Sequence, residues 1–387
     1  MPFGERTMAE QRKSLVEEIR LGERSISAIC RDWGISRPTA YKWLRRSEAG
    51  EPMNDMSRAP QRSPSRTSPA VEEAVVSARR EHPCWGGRKL KRFLERKSGR
   101  IFPSASTVTA ILHRNKLVSP EASRAATPCK RFEKPHPNDM WQVDFKGHFE
   151  MLDGNRCHPL TVTDDHSRYN LCISAKENER LLGVMESFII LLREYGLPLA
   201  VLCDNGSPWG ASSSTGGHTK FEVFLMDYGI IPVHGRPLHP QTQGKEERFH
   251  RTLKRELLAR EPIKDLPNAQ AKFDAFRWEY NEERPHCALG YAVPADRYRV
   301  SERVMPERIS GWEYPQGVHV RNVHGGCITF KYQHIFLSKG LEGRQVAIVQ
   351  SGEDGIVDII YRNFIIAKVS LKENYTISRK ITILGER

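Results

Sequence analysis

Apolar residues between positions 8 and 46 recur at helical spacing, in three short runs. Leu15, Ile19 and Leu21 mark the first. Ser25 stands where it can cap a second, I-S-A-I-C-R-D-W, after which Gly34 breaks the chain. Ser36 has the position of an N-cap for a third, R-P-T-A-Y-K-W-L-R-R, with Pro38 in its first turn. A helix, a short turn containing glycine, then a helix rich in Arg, Thr, Tyr and Lys is the helix-turn-helix plan. It predicts a DNA-binding module over residues 8–47, with Arg37, Thr39, Tyr41 and Lys42 offered to DNA. A plain three-helix bundle with a charged face is the bland alternative.

Residues 47–69 are dominated by Pro, Ser and Arg and read as a linker. Helical spacing returns over residues 70–118, in V-E-E-A-V-V-S-A-R-R, P-C-W-G-G-R-K-L-K-R-F-L and P-S-A-S-T-V-T-A-I-L-H-R. Arg88, Lys89, Lys91 and Arg92 crowd the middle helix. A second helix-turn-helix module is expected here, with Arg88, Lys89 and Lys91 as DNA contacts; a helical spacer is the alternative. Two such modules on a flexible tether could read two parts of one long DNA site. A further Pro- and Lys-rich linker spans residues 119–137.

The period then changes. W-Q-V-D-F-K alternates, with Trp141, Val143 and Phe145 on one face and Gln142, Asp144 and Lys146 on the other, which predicts a strand. H-P-L-T-V-T-D-D and Y-N-L-C-I-S-A give two more strands, and a long helix follows from about Glu179 to Tyr195. The run L-A-V-L-C-D is short, continuous and apolar, as in a buried strand. A helix from Phe221 to Tyr228, a strand I-I-P-V-H and helices over 244–260 and 268–281 complete an α/β sheet covered by helices, residues 137–300. Over 312–375, short strands separated by G-G, K-G and E-D-G suggest a small β-barrel. The expected class is multidomain: helical helix-turn-helix modules, an α/β core and a barrel.

Sixty Lys and Arg against 47 Asp and Glu give a net charge of +13, which favours a polyanionic partner, nucleic acid before an anionic membrane. No apolar run approaches the ~18 residues of a membrane span. The first residues show no apolar core of a secretory signal, so a cytoplasmic, nucleoid-associated location is expected. The eight cysteines are scattered without a C-x-x-C pair, which reads as free thiols and argues against a structural zinc site.

Three acids carry the candidate chemistry. Asp144 lies mid-strand, opposite Trp141 and Val143, where an unpaired carboxylate is costly. Asp204 ends the buried strand, at the carboxyl edge where ligands gather in open α/β sheets. Glu246 and Glu247 open a later helix. Acids brought together from separate elements need a cation, and hard oxygen donors select Mg²⁺ or Mn²⁺. Two such ions about 3.5–4 Å apart serve phosphodiester chemistry. Singly, each acid has an ordinary reading: D-N-G is also a turn, and glutamates favour a helix's first turn. At about 100° per residue, Phe249, Leu253 and Leu257 form a stripe along which Glu246 points. Glu247 points away from it, beside Arg251 and Lys254, two cations able to grip phosphate. That choice makes Glu247 the third acid.

W-Q-V-D-F-K, D-D-H-S-R-Y, V-L-C-D-N-G and H-P-Q-T-Q-G-K-E-E-R-F-H-R-T-L-K together resemble the catalytic core of DDE-type transposases in the retroviral integrase superfamily. I-S-R-P-T-A-Y-K-W-L and P-C-W-G-G-R-K-L resemble the helix-turn-helix modules of its insertion-sequence members. The likeness covers roughly residues 10–300. It implies an RNase H-like core, dependence on two Mg²⁺ ions with Mn²⁺ able to substitute, and a triad of Asp144, Asp204 and Glu247, the last being the glutamate directly before Arg-Phe. It further implies cleavage and strand transfer at terminal inverted repeats by a homo-oligomer holding paired ends. Asp164 and Asp165 fall close to the site the family uses and read as supporting or turn residues. Two features depart from the pattern. The separation of 43 positions between Asp204 and Glu247 is longer than usual, and S-P-W-G-A-S-S-S-T-G-G-H-T looks like an inserted mobile loop. The zinc-binding His and Cys set of retroviral integrases is replaced by the helix-turn-helix modules. The rivals are a non-catalytic helix-turn-helix regulator derived from a transposase and an RNase H-type nuclease of RNA–DNA hybrids.

Overall fold

A computed structural model describes residues 7–56, 67–118, 133–210, 217–235, 244–372, 377–378 and 381–384. Residues 57–66 and 119–132 of the two linkers, the middle of the inserted stretch and the H-P-Q-T-Q segment lie outside the described residues. The chain divides into two compact units, Met1–Arg66 and Thr67–Arg387.

The first unit holds α1 (Met8–Leu21), α2 (Ile26–Asp32) and α3 (Arg37–Glu48). Their starts follow the capping signals. Thr7 and Glu10 form a reciprocal capping box, and Ser25 and Ser36 accept from Ala28 N and Thr39 N. The core is Leu15, Val16, Ile29 and Trp43; Leu21, counted in the sequence stripe, is exposed. The expected linker begins late. Met53 is buried in this core, and Arg12 holds it by bonding the Met53 carbonyl at 2.8 Å and Asp55 at 2.8 Å.

The second unit opens with α4 (Pro69–Glu81), α5 (Gly87–Ser98) and α6 (Ala105–Arg114), packed through Trp85, Leu90, Phe93, Val108 and Ile111. Gly87 is required there. A Cβ on it would lie 2.3 Å from Thr109 Oγ1 and 2.8 Å from the Ala105 carbonyl. The α/β sheet follows, with β1 (Trp141–Phe145), β2 (Phe149–Glu150), β3 (Arg156–Asp164), β4 (Asn170–Lys176), α7 (Leu181–Tyr195), β5 (Ala200–Cys203), α8 (Lys220–Asp227) and β6 (Ile231–His234). β3 pairs antiparallel with β1 and β4, while β1, β5 and β6 run parallel. β2 extends the start of β3. α7 and α8 cover one face through Phe188, Leu192, Phe221 and Leu225. α9 (Gly244–Leu253) and α10 (Leu266–Trp278) bring Phe249, Leu253 and Phe273 to a cluster with Cys157 and Ile173. Each ends in a π-helical turn, Lys254–Leu258 and Glu279–Glu283, where the sequence predicts unbroken α-helix. The inserted stretch is in part ordered packing: Trp209 is buried against Phe145 and Phe221.

The last part contains β7 (His319–Asn322), β8 (Cys327–Phe330), β9 (Gln333–Phe336), β10 (Gln345–Gln350), β11 (Ile356–Tyr361), β12 (Phe364–Ser370), β13 (Ile377–Ser378) and β14 (Thr382–Ile383). The expected barrel is not a closed sheet. The order is β13-β12-β11-β10-β7 with β14 also on β12, and β8–β9 pair only with each other. The physical reason is visible in the core. Val223 and Met226 of α8 pack into the strand cluster with Val346, Ile348, Ile359 and Phe364, so a helix of the preceding layer covers the apolar face. Asp227 fixes the contact, accepting from Tyr361 Oη, Arg344 (2.7 Å) and Arg362 (3.0 Å).

Candidate active site

Sheet register brings two of the three acids together. β1 and β5 pair with Trp141 opposite Val201 and Gln142 opposite Leu202, and continuing that register sets Asp144 beside Asp204. Burial first, then the neighbouring charges of Asp204 and Glu179, push the Asp144 carboxyl up to about 7. Asp204 is exposed at the strand end; its carboxylate accepts from Asn205 N at 2.6 Å and its carbonyl faces His234 Nδ1 at 3.0 Å. His234 Nε2 reaches Glu222 Oε1 at 3.1 Å. Both ring nitrogens of His234 therefore face acceptors, and Glu222 in turn is held low, at about 2, against the effect of its own burial by bonds from His218 and His234.

The two glutamates of α9 part company. Glu246 is 1% exposed and points at the sheet: Thr161 Oγ1 donates to its Oε2 at 3.1 Å. Burial, followed by the charge of Asp144, raises it to about 8. His250, one turn on, lies 3.8 Å from Glu246 and 4.0 Å from Asp144, and its Nε2 contacts Thr161 Oγ1 at 2.8 Å. Burial and Lys146 lower that imidazole to about 4. Glu247 stands on the opposite side as the helical wheel predicts, 70% exposed and 2.8 Å from Arg251. Lys254 is exposed and close enough to Lys146 to depress it, after burial. Among the described residues no three His, Cys, Asp or Glu side chains converge to hold a metal. What converges is a pair of aspartates, with Glu246 behind them and Glu247 in an ion pair outside.

Asp164 and Asp165 are fully built into the frame. Asp164 caps its own turn, accepting from Ser167 N, Ser167 Oγ and Asn138 N. Asp165 accepts from Lys134 N and Gln142 Nε2 and binds Lys245 Nζ, which ties the first turn of α9 to the end of β3. Sequence reasoning missed Lys245, Thr161, His250, Glu222 and His234. The alternation of β3 could have pointed to Thr161, and the i+4 spacing from Glu246 to His250.

The candidate DNA contacts fall into two groups. In α3, Arg37, Tyr41 and Lys42 are exposed, and Thr39 is half-buried with its hydroxyl 2.9 Å from Ser36 Oγ. In α5, Lys89 is turned towards the α/β layer, while Arg88 and Arg92 stay exposed. Lys89 is lowered to about 8 by burial and by Arg284, and Lys91 is held by Glu95 and the Phe102 carbonyl. The structure does not bring Lys89 and Lys91 to an open surface, because acids and carbonyls within the unit take their charges.

Integrase core domain models match residues 134–240 and 228–294, and homeodomain-like models match residues 18–52 and 39–112. Over residues 134–294 the chain is thus similar to integrase core domains. That stretch contains both aspartates and α9. Transposase InsD for insertion element IS2 of Escherichia coli is 27% identical over 300 residues, covering 70% of this chain and 93% of the relative. The insertion element IS476 39.2 kDa protein of Xanthomonas euvesicatoria is 25% identical over 309 residues, 75% and 78%. Among solved structures, a simian T-cell lymphotropic virus intasome chain aligns with a TM-score of 0.38 at 15% identity over 80% of this chain and 99% of that one.

Proposed function

We propose that the chain is the transposase of a mobile DNA element. It recognises terminal inverted repeats through its helix-turn-helix modules, works as a homo-oligomer on paired ends, and cleaves and joins DNA. The observation that carries this reading is the pairing of β1 with β5, which sets Asp144 beside Asp204 at the carboxyl edge of an integrase core. Two carboxylates so close that one raises the other fit a divalent cation, Mg²⁺ or Mn²⁺, and such ions supply an activated attacking oxygen and a stabilised leaving oxygen when bound. Asp144 and Asp204 would hold the cation, with Glu247 as the third acid once it leaves Arg251. The cleavage step adds water to a phosphodiester phosphorus and breaks the P–O bond to the element's 3′ oxygen, which leaves as a hydroxyl. In joining, that hydroxyl attacks a target phosphodiester, and the target's own 3′ oxygen departs. Arg251 and Lys254 hold backbone phosphate, and His250, kept neutral, adds no charge next to the carboxylates. The strand-rich last part contributes DNA or subunit contacts.

A second reading has one observation in its favour: Glu246, not Glu247, is electrostatically coupled to Asp144. Strand-transfer assays with labelled element-end DNA and Mg²⁺ separate the two. Asp204→Asn and Glu247→Gln are expected to bind DNA and give no joined product, while Glu246→Gln remains active. The reverse behaviour of the two glutamate variants assigns the third acid to Glu246.

A further inference from the structure

The β8–β9 hairpin closes with Phe330 opposite Gln333, leaving Lys331 and Tyr332 as its two-residue loop. Both have positive φ, 46° and 65°. That is the backbone of a hairpin turn that Asn-Gly or Asp-Gly adopts readily and that two residues with full side chains adopt under strain. The strain is not repaid inside the fold. Tyr332 is 100% exposed, and the Lys331 ammonium lies over the Phe330 ring of its own hairpin at 5.6 Å. The stretch of chain around the hairpin carries one sign of charge, with Glu342 as the acid at its base, accepting from Gly326 N at 2.9 Å. From Tyr314 to Leu341 there is no Asp or Glu, while His319, Arg321, His324, Lys331, His334 and Lys339 lie within that stretch. Arg321 folds its guanidinium onto the hairpin at the Thr329 carbonyl, 3.3 Å away.

A strained turn kept with a bare phenol ring and an ammonium at its tip, in an acid-free stretch, suits a polyanion that also offers flat faces. We propose that the Lys331–Tyr332 tip is a DNA contact in which the Tyr332 ring stacks on an unpaired base and Lys331 meets the adjoining phosphate. Aromatic stacking of this kind needs a base already out of the duplex stack, as at a frayed or distorted end. This inference rests on the reading that the chain acts on DNA, but its test reads binding alone and does not require the cleavage chemistry.

The full chain is titrated against two fluorescein-labelled duplexes of arbitrary sequence, one intact and one with a mismatched, frayed end. The double substitution Lys331→Asn with Tyr332→Gly matches what the turn prefers. It is expected to raise the melting temperature while weakening binding to the frayed duplex roughly tenfold and to the intact one far less. Tyr332→Ala alone should weaken frayed-end binding similarly, and Tyr332→Phe should retain it. Lys331→Gln should lower the slope of log affinity against log salt by about one. Unchanged frayed-end affinity in the double and the Tyr332→Ala variants overturns the proposal, as does an equal loss on both duplexes, which would make the tip a backbone contact without stacking. If strand transfer fails for the wild type while this pattern holds, the catalytic reading falls and the tip contact stands.

Discussion

The two helix-turn-helix modules look alike in sequence and differ in what their basic helices meet. In the first, α3 leaves Arg37, Tyr41, Lys42 and Arg45 exposed. In the second, α5 and the turn before it dock on groups far along the chain, while Lys91 is held by Glu95 and the Phe102 carbonyl and Arg88 and Arg92 stay exposed. Trp85 donates to Glu256, 171 positions away, at 3.1 Å, and Arg96 bonds Asp296, 200 positions away, at 2.9 Å. Arg284 binds Glu256 through two bonds of 2.8 Å, and His82 lies 3.0 Å from Glu279. The first module thus leaves its basic helix open to solvent, whereas the second uses part of its surface for docking. The local pattern cannot tell them apart, since the deciding acids sit in the two π-helical turns and the loop after them. π-Turns often mark sites where a helix is adjusted to a special contact. Here Lys254–Leu258 follows directly on α9, so the second module grips the helix that carries the candidate acids.

Removing one partner of the Glu256–Arg284 pair tests this contrast hardest. Arg284→Ala strands a buried carboxylate and is expected to destabilise the second unit by about 3–5 kcal/mol. Thermal denaturation reads it. Arg37→Ala in the first module should leave the melting temperature unchanged, and equal sensitivity of the two would dissolve the distinction. Trp85→Phe removes one bond to the same carboxylate and keeps the stacking on His82, whose ring centroid is 3.7 Å away; a loss of about 1.5–3 kcal/mol is expected. A third contrast is read in DNA binding. Lys42→Gln should reduce the salt slope of affinity by about one and leave stability alone, while Lys89→Gln should leave the slope unchanged.

Much of this architecture is legible along the chain because it is written in local signals. Caps at Ser25 and Ser36, the alternation of W-Q-V-D-F and the apolar run before Asp204 each fix an element within a few residues of its observed bounds. The wheel correctly parted Glu246 from Glu247, because the first two turns of α9 are regular helix. What the chain does not reveal locally is pairing over distance. The barrel expectation treated the last strands as self-sufficient, whereas Val223 and Met226, nearly a hundred residues earlier, cover their apolar face. The same holds for Lys245, whose partner Asp165 lies on another layer. Spacing rules see the face a side chain leaves by, not the group it arrives at.

Lys89 offers the finest test of docking, because its charge is at odds with its place. Burial and the Arg284 guanidinium lower its ammonium to about 8, and Glu256 offsets this only in part. An undocked Lys89 would titrate near ~10.4. Between these values the docked state has released a proton that the undocked state still holds, so docking strengthens as pH rises through that window and gains nothing from Lys89 at lower pH. From pH 8 to 9 the gain is about 1 kcal/mol. Urea unfolding of the second unit followed by tryptophan fluorescence should show that rise, and Lys89→Met should abolish it. A rise that survives the substitution would mean that Lys89 keeps its proton in the folded chain and faces solvent, as a DNA-reading lysine would.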